Sequence, residues 1–221
     1  MFKNLYASGC SLTYGYGLKD PLTERWSARL AKILNVTETN DATSGNSNWT
    51  TTRKMMEWIE KHPTKSKDTL FIYQTTYASR FEWPRFGENG EGNIIAFPEI
   101  YEFIDQCSVE GTVCIPNEHW QVERFINYHS LLQQYTMLSF LEDNDLNYMF
   151  VQGDKYNALY GPEKQRVKQQ PMQRILNSKE NYLTDFNCYF LGRRELVQGH
   201  PNAKSQNAFA EHLEGVINEV F

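Results

Sequence analysis

Tyr6-Ala7-Ser8-Gly9-Cys10-Ser11-Leu12-Thr13-Tyr14-Gly15-Tyr16-Gly17 decides how the rest of this chain is read. A short apolar run, Phe2 to Ala7, stops there and reads as a first strand. The glycines at 9, 15 and 17 let the backbone turn tightly and come close to a ligand. A serine between small residues at a strand exit is a common place for a nucleophile. If a helix begins just after it, the Ser11 oxygen lies near backbone N–H groups and the positive end of the helix dipole. Such groups hold the negative oxygen of a tetrahedral intermediate. The stretch is not G-x-S-x-G, because Thr13 stands at the second glycine, and it is neither a Walker loop nor a G-x-G-x-x-G turn. Without a partner, a serine in a glycine-rich loop is most often a turn or cap residue. Cys10 is a rival nucleophile, but its alternation with Ser11 turns it inward, and buried thiols are usually inert.

Outward from this stretch the chain alternates strands and helices. Glu24 to Leu34 carries Trp26, Leu30, Ile33 and Leu34 at helical spacing, and Val36 to Asn40 reads as a second strand. Asn48 or Thr50 is placed to cap a helix running to Lys61, with Met55, Met56, Trp58 and Ile59 on it and Pro63 ending it. Thr69 to Thr75, dense in β-formers, is the clearest strand. This order predicts a parallel sheet flanked by helices. The pattern lapses over 80–118, where Pro84, Gly87, Gly90, Gly92, Pro98, Gly111 and Pro116 break every period except Glu99 to Cys107. A long helix follows from His119 to Asp143, then a fourth strand over Asn147 to Gln152. Residues 153–186 read as a second irregular insertion containing a basic helix. Asn187 to Leu191 reads as a fifth strand, and Asn202 to Val220 as a closing helix with Phe209, Leu213, Val216 and Ile217 inward. The expectation is α/β: one three-layer α/β/α domain over residues 1–221, with a mostly parallel sheet of about five strands and insertions at 80–118 and 153–186.

Bulk properties narrow the function. A chain of 221 residues suits one substantial core. The net charge of −5 and pI near 5.6 give no electrostatic footprint for nucleic acid. Arg193-Arg194 and the Lys164-to-Lys168 stretch read as solvated faces. Aromatics at 14% fill the core first and line a cleft second. The 4 cysteines include no C-x-x-C pair, so no zinc ribbon or thioredoxin-type site is expected, and free thiols are the simplest state. No apolar run approaches the roughly eighteen residues a membrane helix needs, and Met1 to Leu5 lacks a signal peptide's apolar segment. A cytoplasmic protein with no membrane partner is expected.

The second half of the site comes from Gln198-Gly199-His200-Pro201-Asn202. Asn202 is placed to cap the closing helix and Pro201 stiffens the approach, which fixes His200 at one end of the domain. Imidazole is the usual base for a serine hydroxyl. Alone, such a histidine more often only hydrogen-bonds locally.

Together these residues resemble the SGNH hydrolases, also called GDSL esterases and lipases. That family's G-D-S-L-[ST]-x-G is matched by Gly9-Cys10-Ser11-Leu12-Thr13-Tyr14-Gly15, with Cys10 in place of the aspartate. Its N-x-G-x-S-G block is matched by Asn40-Asp41-Ala42-Thr43-Ser44-Gly45-Asn46 at Asn40, Ser44 and Gly45, after the second strand. Its D-x-x-H-P block is matched at His200-Pro201. The small members in phage genomes look most alike. The resemblance implies a flavodoxin-like fold and a serine ester hydrolase needing no metal or organic cofactor. It makes Ser11 the nucleophile and His200 the base, with the N–H groups of Ser11 and Gly45, helped by Asn46 or Thr76, around the oxyanion. The substrate would be a small-molecule or glycan ester, such as a carbohydrate O-acetyl group; Arg80 and Glu82, just after the third strand, read either as contacts to it or as an exposed ion pair. Two blocks depart from the pattern. Tyr73-Gln74-Thr75-Thr76-Tyr77 replaces G-x-N-D, leaving Thr76 or Gln74 as donor. Val197 stands where the acid precedes the histidine, leaving Glu195, Asp185 or a backbone carbonyl to orient the ring. These losses motivate a second reading: a catalytically degenerate glycan-binding or virion accessory protein on the same fold.

Overall fold

The computed structural model describes residues 2–76, 80–86, 92–97, 119–153, 178–179, 182–183, 196–197 and 200–221. For 81–86, 92–97, 119–127, 182–183 and 196–197 the description is of the backbone alone. The elements run β1 (Asn4–Ser8), α1 (Ser11–Tyr14), α2 (Pro21–Glu24), α3 (Trp26–Leu34), β2 (Thr37–Asn40), α4 (Asn48–Lys61), α5 (Pro63–Lys67) and β3 (Thr69–Gln74). They continue with β4 (Phe81–Phe86), β5 (Gly92–Phe97), α6 (His119–Asp143), β6 (Asn147–Val151), β7 (Tyr182–Leu183), β8 (Leu196–Val197), β9 (His200–Pro201) and α7 (Ala203–Val220).

The main sheet has five strands in the order β2-β1-β3-β6-β7, and every neighbouring pair is parallel. β3 is buried along its whole length, as a strand covered on both faces must be. Alternation along the strands sorts side chains into two unlike layers. Tyr6, Phe71, Tyr73, Tyr148 and Phe150 point to the α4 and α6 side, against Met55, Ile59, Met137, Leu138 and Leu141. Leu5, Ala7, Leu70, Ile72, Met149 and Val151 point to the α3 and α7 side, against Trp26, Leu30, Phe209, Leu213 and Ile217. One face is aromatic and the other aliphatic, and helices cover both. That is the three-layer α/β/α architecture expected.

Sheet order also locates the crevice. From β1 the chain leaves to one side for β2; from β3 it leaves to the other side for β6. Between β1 and β3 the connections diverge, and ligands of open α/β sheets bind at the carboxyl ends of such a pair. Ser11 follows β1 and Thr76 follows β3.

Several boundaries differ from the sequence reading. The cap of α4 is Ser47, whose Oγ accepts from the Thr50 amide at 3.1 Å. Asn48 is thereby released to turn inward. Pro63 does follow the end of α4, but it also opens α5 as its first residue, where its missing N–H has no cost. Part of the stretch read as irregular over 80–118 is an antiparallel pair, β4 with β5, in register from Phe81↔Phe97 to Phe86↔Gly92. Pro84 obscures it, because proline demotes a run to an edge strand or none. The fifth strand of the sheet is Tyr182–Leu183, too short for any period to announce. The sequence-derived Asn187–Leu191 strand, the Glu99–Cys107 helix and the basic helix before Asp185 lie outside the described residues.

Trp26 and Phe209 lock α3 to α7 with an edge-on contact, ring centroids 5.6 Å apart, and both are fully buried. Phe209→Ala should lower stability by about 3–5 kcal/mol, read from the midpoint of urea unfolding.

Candidate active site

Ser11 is the first residue of α1, a single turn closed at its far end by Gly15 in the left-handed conformation, φ 86°. Cys10 precedes it in extended backbone, and its carbonyl accepts from the amides of Thr13 at 3.1 Å and Tyr14 at 2.9 Å. Among the described residues the Ser11 amide itself donates to no protein group. Beneath this turn lies Gln74, fully buried at the end of β3. Its Oε1 accepts from the Cys10 amide at 3.2 Å and from Thr13 Oγ1 at 2.7 Å, while its Nε2 donates to the Thr75 carbonyl at 2.6 Å and to Cys10 Sγ at 3.4 Å. The fit is close: a Cβ at Gly9 would stand 2.5 Å from Gln74 Oε1. Gln74 therefore braces the Ser11 turn from below.

The loop after β2 is tied to the same strand exit. Asp41 N donates to the Ala7 carbonyl at 2.9 Å, and Thr43 N and Asn46 Nδ2 both donate to the Gly9 carbonyl, at 3.3 and 3.1 Å. Lys54 Nζ holds the loop from outside through Asp41 Oδ1 at 3.3 Å and Thr43 Oγ1 at 3.1 Å. Tyr6 donates its hydroxyl to Asp41 Oδ2 at 2.7 Å; burial and the neighbouring Asp41 charge push the phenol far above its ordinary range, so it stays a donor. Gly45 sits at the bend with φ 82°, a conformation costly for other residues. Its amide donates to no protein group among the described residues, and the space on its Cβ side is open.

At the end of β3, Asn48 and Thr76 exchange bonds. Thr76 N donates to Asn48 Oδ1 at 2.8 Å, and Asn48 Nδ2 donates to the Thr76 carbonyl at 3.2 Å and to Ser130 Oγ at 2.9 Å. Arg80 Nη1 donates to Thr76 Oγ1 at 2.7 Å and to the Asn46 carbonyl at 3.4 Å. The half-buried guanidinium is thus anchored between the loops after β2 and β3. Arg80 is the candidate substrate contact with described geometry; the Glu82 side chain lies outside the described residues.

His200 arrives from the far end of the chain. β9 pairs antiparallel with β8 in the register Val197↔His200, and Asn202 caps α7, its Oδ1 accepting from the Ser205 amide at 3.0 Å. Buried Gln206 in the first turns of α7 accepts from Trp26 N at 2.9 Å and donates to the Leu12 carbonyl at 3.2 Å. That bond fastens the helix behind His200 to the turn that carries Ser11. His200 Nε2 lies 2.9 Å from Ser11 Oγ, a contact between residues 189 positions apart. With Ser11 Oγ–H as donor, Nε2 accepts and the ring proton sits on Nδ1.

Of the sequence candidates, Ser11 and His200 meet directly, and Gly45 offers an unengaged amide. The Asn46 side chain is occupied by the Gly9 carbonyl, and the Gln74 amide by the Ser11 turn. Thr76 has a hydroxyl that accepts from Arg80 and keeps its proton for another acceptor. Glu195 and Asp185 lie outside the described residues. Sequence reasoning missed Gln206 and the bracing role of Gln74. Only a polar side chain at a buried periodic position signals either one.

The fold has solved counterparts. The chain superposes on the psychrotrophic esterase EstA from Pseudoalteromonas sp. with TM-score 0.58 at 14% identity, covering 98% of this chain and 97% of that one. It superposes on a member of the lipolytic protein G-D-S-L family from Veillonella parvula with TM-score 0.51 at 14% identity, covering 99% and 97%. A carbohydrate esterase family 2 enzyme with a carbohydrate-binding domain, from Corynascus, gives TM-score 0.55 at 10% identity over 98% of this chain and 67% of that one. No protein-family profile matches the sequence, and no curated protein does. The chain has the fold of the SGNH hydrolases.

Gln74→Leu should strand the Cys10 amide and the Thr13 hydroxyl without partners. A loss of about 1–3 kcal/mol for each is expected, measured by chemical denaturation against the wild type.

Proposed function

We propose that the protein is a serine ester hydrolase of SGNH type acting on small acyl esters, with a carbohydrate O-acetyl group as the preferred substrate. The observation that carries this reading is the 2.9 Å contact between Ser11 Oγ and His200 Nε2, beside the unengaged amides of Ser11 and Gly45. A serine merely capping a turn has no need of an imidazole brought from the other end of the chain.

In the first half-reaction Ser11 Oγ attacks the ester carbonyl carbon while His200 Nε2 takes its proton. The carbonyl oxygen, now negative, is received by the N–H groups of Ser11 and Gly45, with the Thr76 hydroxyl as a third donor. The carbon–oxygen bond to the alcohol breaks, and the proton on Nε2 passes to the departing alkoxide. Water then attacks the acyl-serine, giving its proton to Nε2, and the acid leaves as Ser11 recovers its proton. Fixed amides aimed at the developing charge supply a large part of such a rate enhancement. Arg80, anchored between Thr76 and Asn46, lies on the substrate side and favours ligands that accept hydrogen bonds.

p-Nitrophenyl acetate hydrolysis tests the reading. Ser11→Ala and His200→Ala should each lower kcat/KM by about 10³-fold or more. A fluorophosphonate should label Ser11 in the wild type and nothing in Ser11→Ala. Folded protein that neither hydrolyses the ester nor takes the label would overturn the proposal. For the carbohydrate substrate, acetate release from acetylated xylo-oligosaccharides should exceed release from simple alkyl acetates, and Arg80→Ala should raise KM by about tenfold, the scale of one charged hydrogen bond.

A further inference from the structure

Tyr16 is tied to both members of the Ser11–His200 pair. Its amide donates to the Ser11 carbonyl at 3.0 Å, alongside the Gly15 amide at the same distance. Its ring lies against the His200 imidazole, centroids 4.9 Å apart and planes tilted by 52°. The residue is presented there by two left-handed glycines, Gly15 with φ 86° and Gly17 with φ 82°. The turn under it is packed: a Cβ at Gly15 would stand 2.9 Å from Leu18 Cδ1 and 3.0 Å from Arg25 Cβ. The backbone from which the Tyr16 ring projects is thus fixed relative to Ser11. Even so, the residue is 44% exposed, so core packing does not account for its place.

Resting on the esterase reading above, we propose that Tyr16 is a positioning residue for His200. Its ring limits rotation of the imidazole, keeping Nε2 on Ser11 Oγ. Its π-face also attracts the positive charge that the imidazole acquires only while it holds the serine proton. An interaction that strengthens as the transition state forms raises kcat and leaves substrate affinity alone.

The test compares wild type, Tyr16→Phe and Tyr16→Leu, with melting temperature as the check on folding. In Tyr16→Leu, kcat on p-nitrophenyl acetate and the rate of Ser11 labelling by a fluorophosphonate should both fall about tenfold, with KM within about twofold, the scale of a cation–π contact. Tyr16→Phe, which keeps the ring, should restore both. The His200 ring-proton shifts should change in Tyr16→Leu, which removes the ring current, and stay in Tyr16→Phe. A rise in KM with kcat unchanged would make Tyr16 a substrate contact and overturn the proposal. So would equal losses in the Phe and Leu variants, or ring protons that do not move. The proton shifts are read without substrate. They therefore judge the contact even if the wild type hydrolyses nothing, an outcome that would fail the esterase reading separately.

Discussion

A buried carboxamide holds the working end of this protein together. Gln74 ends the central strand with no exposure, at the point where the Ser11 turn leaves β1 and the chain leaves β6. Its orientation is forced, because the Cys10 amide can only donate and the Thr75 carbonyl can only accept. One side chain therefore satisfies the exits of two adjacent strands and fixes the height of Ser11 above the sheet. An unpaired amide at that depth would be costly, so the site's geometry and the stability of its floor are one constraint. Gly9 and Gly153 follow from it, since a Cβ at either would collide with Gln74.

The rest of the site is assembled by the two unlike layers. The aromatic face holds α4 and α6, and through Asn48 and Ser130 these helices grip the end of β3 at Thr76. The aliphatic face holds α3 and α7, and through Gln206 these helices grip the Ser11 turn at Leu12. Ser11 and His200 are far apart in sequence and lie on separate elements. Their meeting depends on α7 seating against α3, which the Trp26–Phe209 contact secures. Burial energy on one face is converted into a hydrogen-bond distance at the rim.

Much of this was legible in the sequence where one physical rule dominates. Leu70 to Tyr73 reads as an unbroken apolar and aromatic run because the strand is covered on both faces. The closing helix showed its core side through Phe209, Leu213 and Ile217, and Asn202 its cap. Ser11 and His200 were legible because a strand exit and a helix start place them at the same rim, and Gly45 was legible through the family resemblance. Legibility failed where tertiary demands override local ones. Asn48 looks like a cap but is drawn inward to Thr76, leaving Ser47 to cap. Gln74 and Asn46 look like donors for a substrate but are needed by the Cys10 turn and the Gly9 carbonyl. The β4–β5 pair was hidden by Pro84, and the two-residue β7 is shorter than any period.

The departures from the family pattern are coupled to one another. An aspartate at position 10 would bring an ionised oxygen to a site that is 2% exposed and already faces Gln74 Oε1. Two acceptors would then oppose each other. Relieving this by turning the Gln74 amide would take its oxygen from the Cys10 N–H and the Thr13 hydroxyl and set its NH2 against the only-donating Cys10 amide. A thiol avoids the conflict, since it donates weakly to Oε1 and accepts weakly from Nε2. Cys10 and Gln74 thus form a neutral pair in which each makes the other tolerable, and Thr13 completes it through its hydroxyl. The two positions are best understood as one exchange, a charged brace for an uncharged one. The serine above them keeps its place because the backbone bonds it relies on, from Thr13 and Tyr14 to the Cys10 carbonyl, are untouched by that exchange.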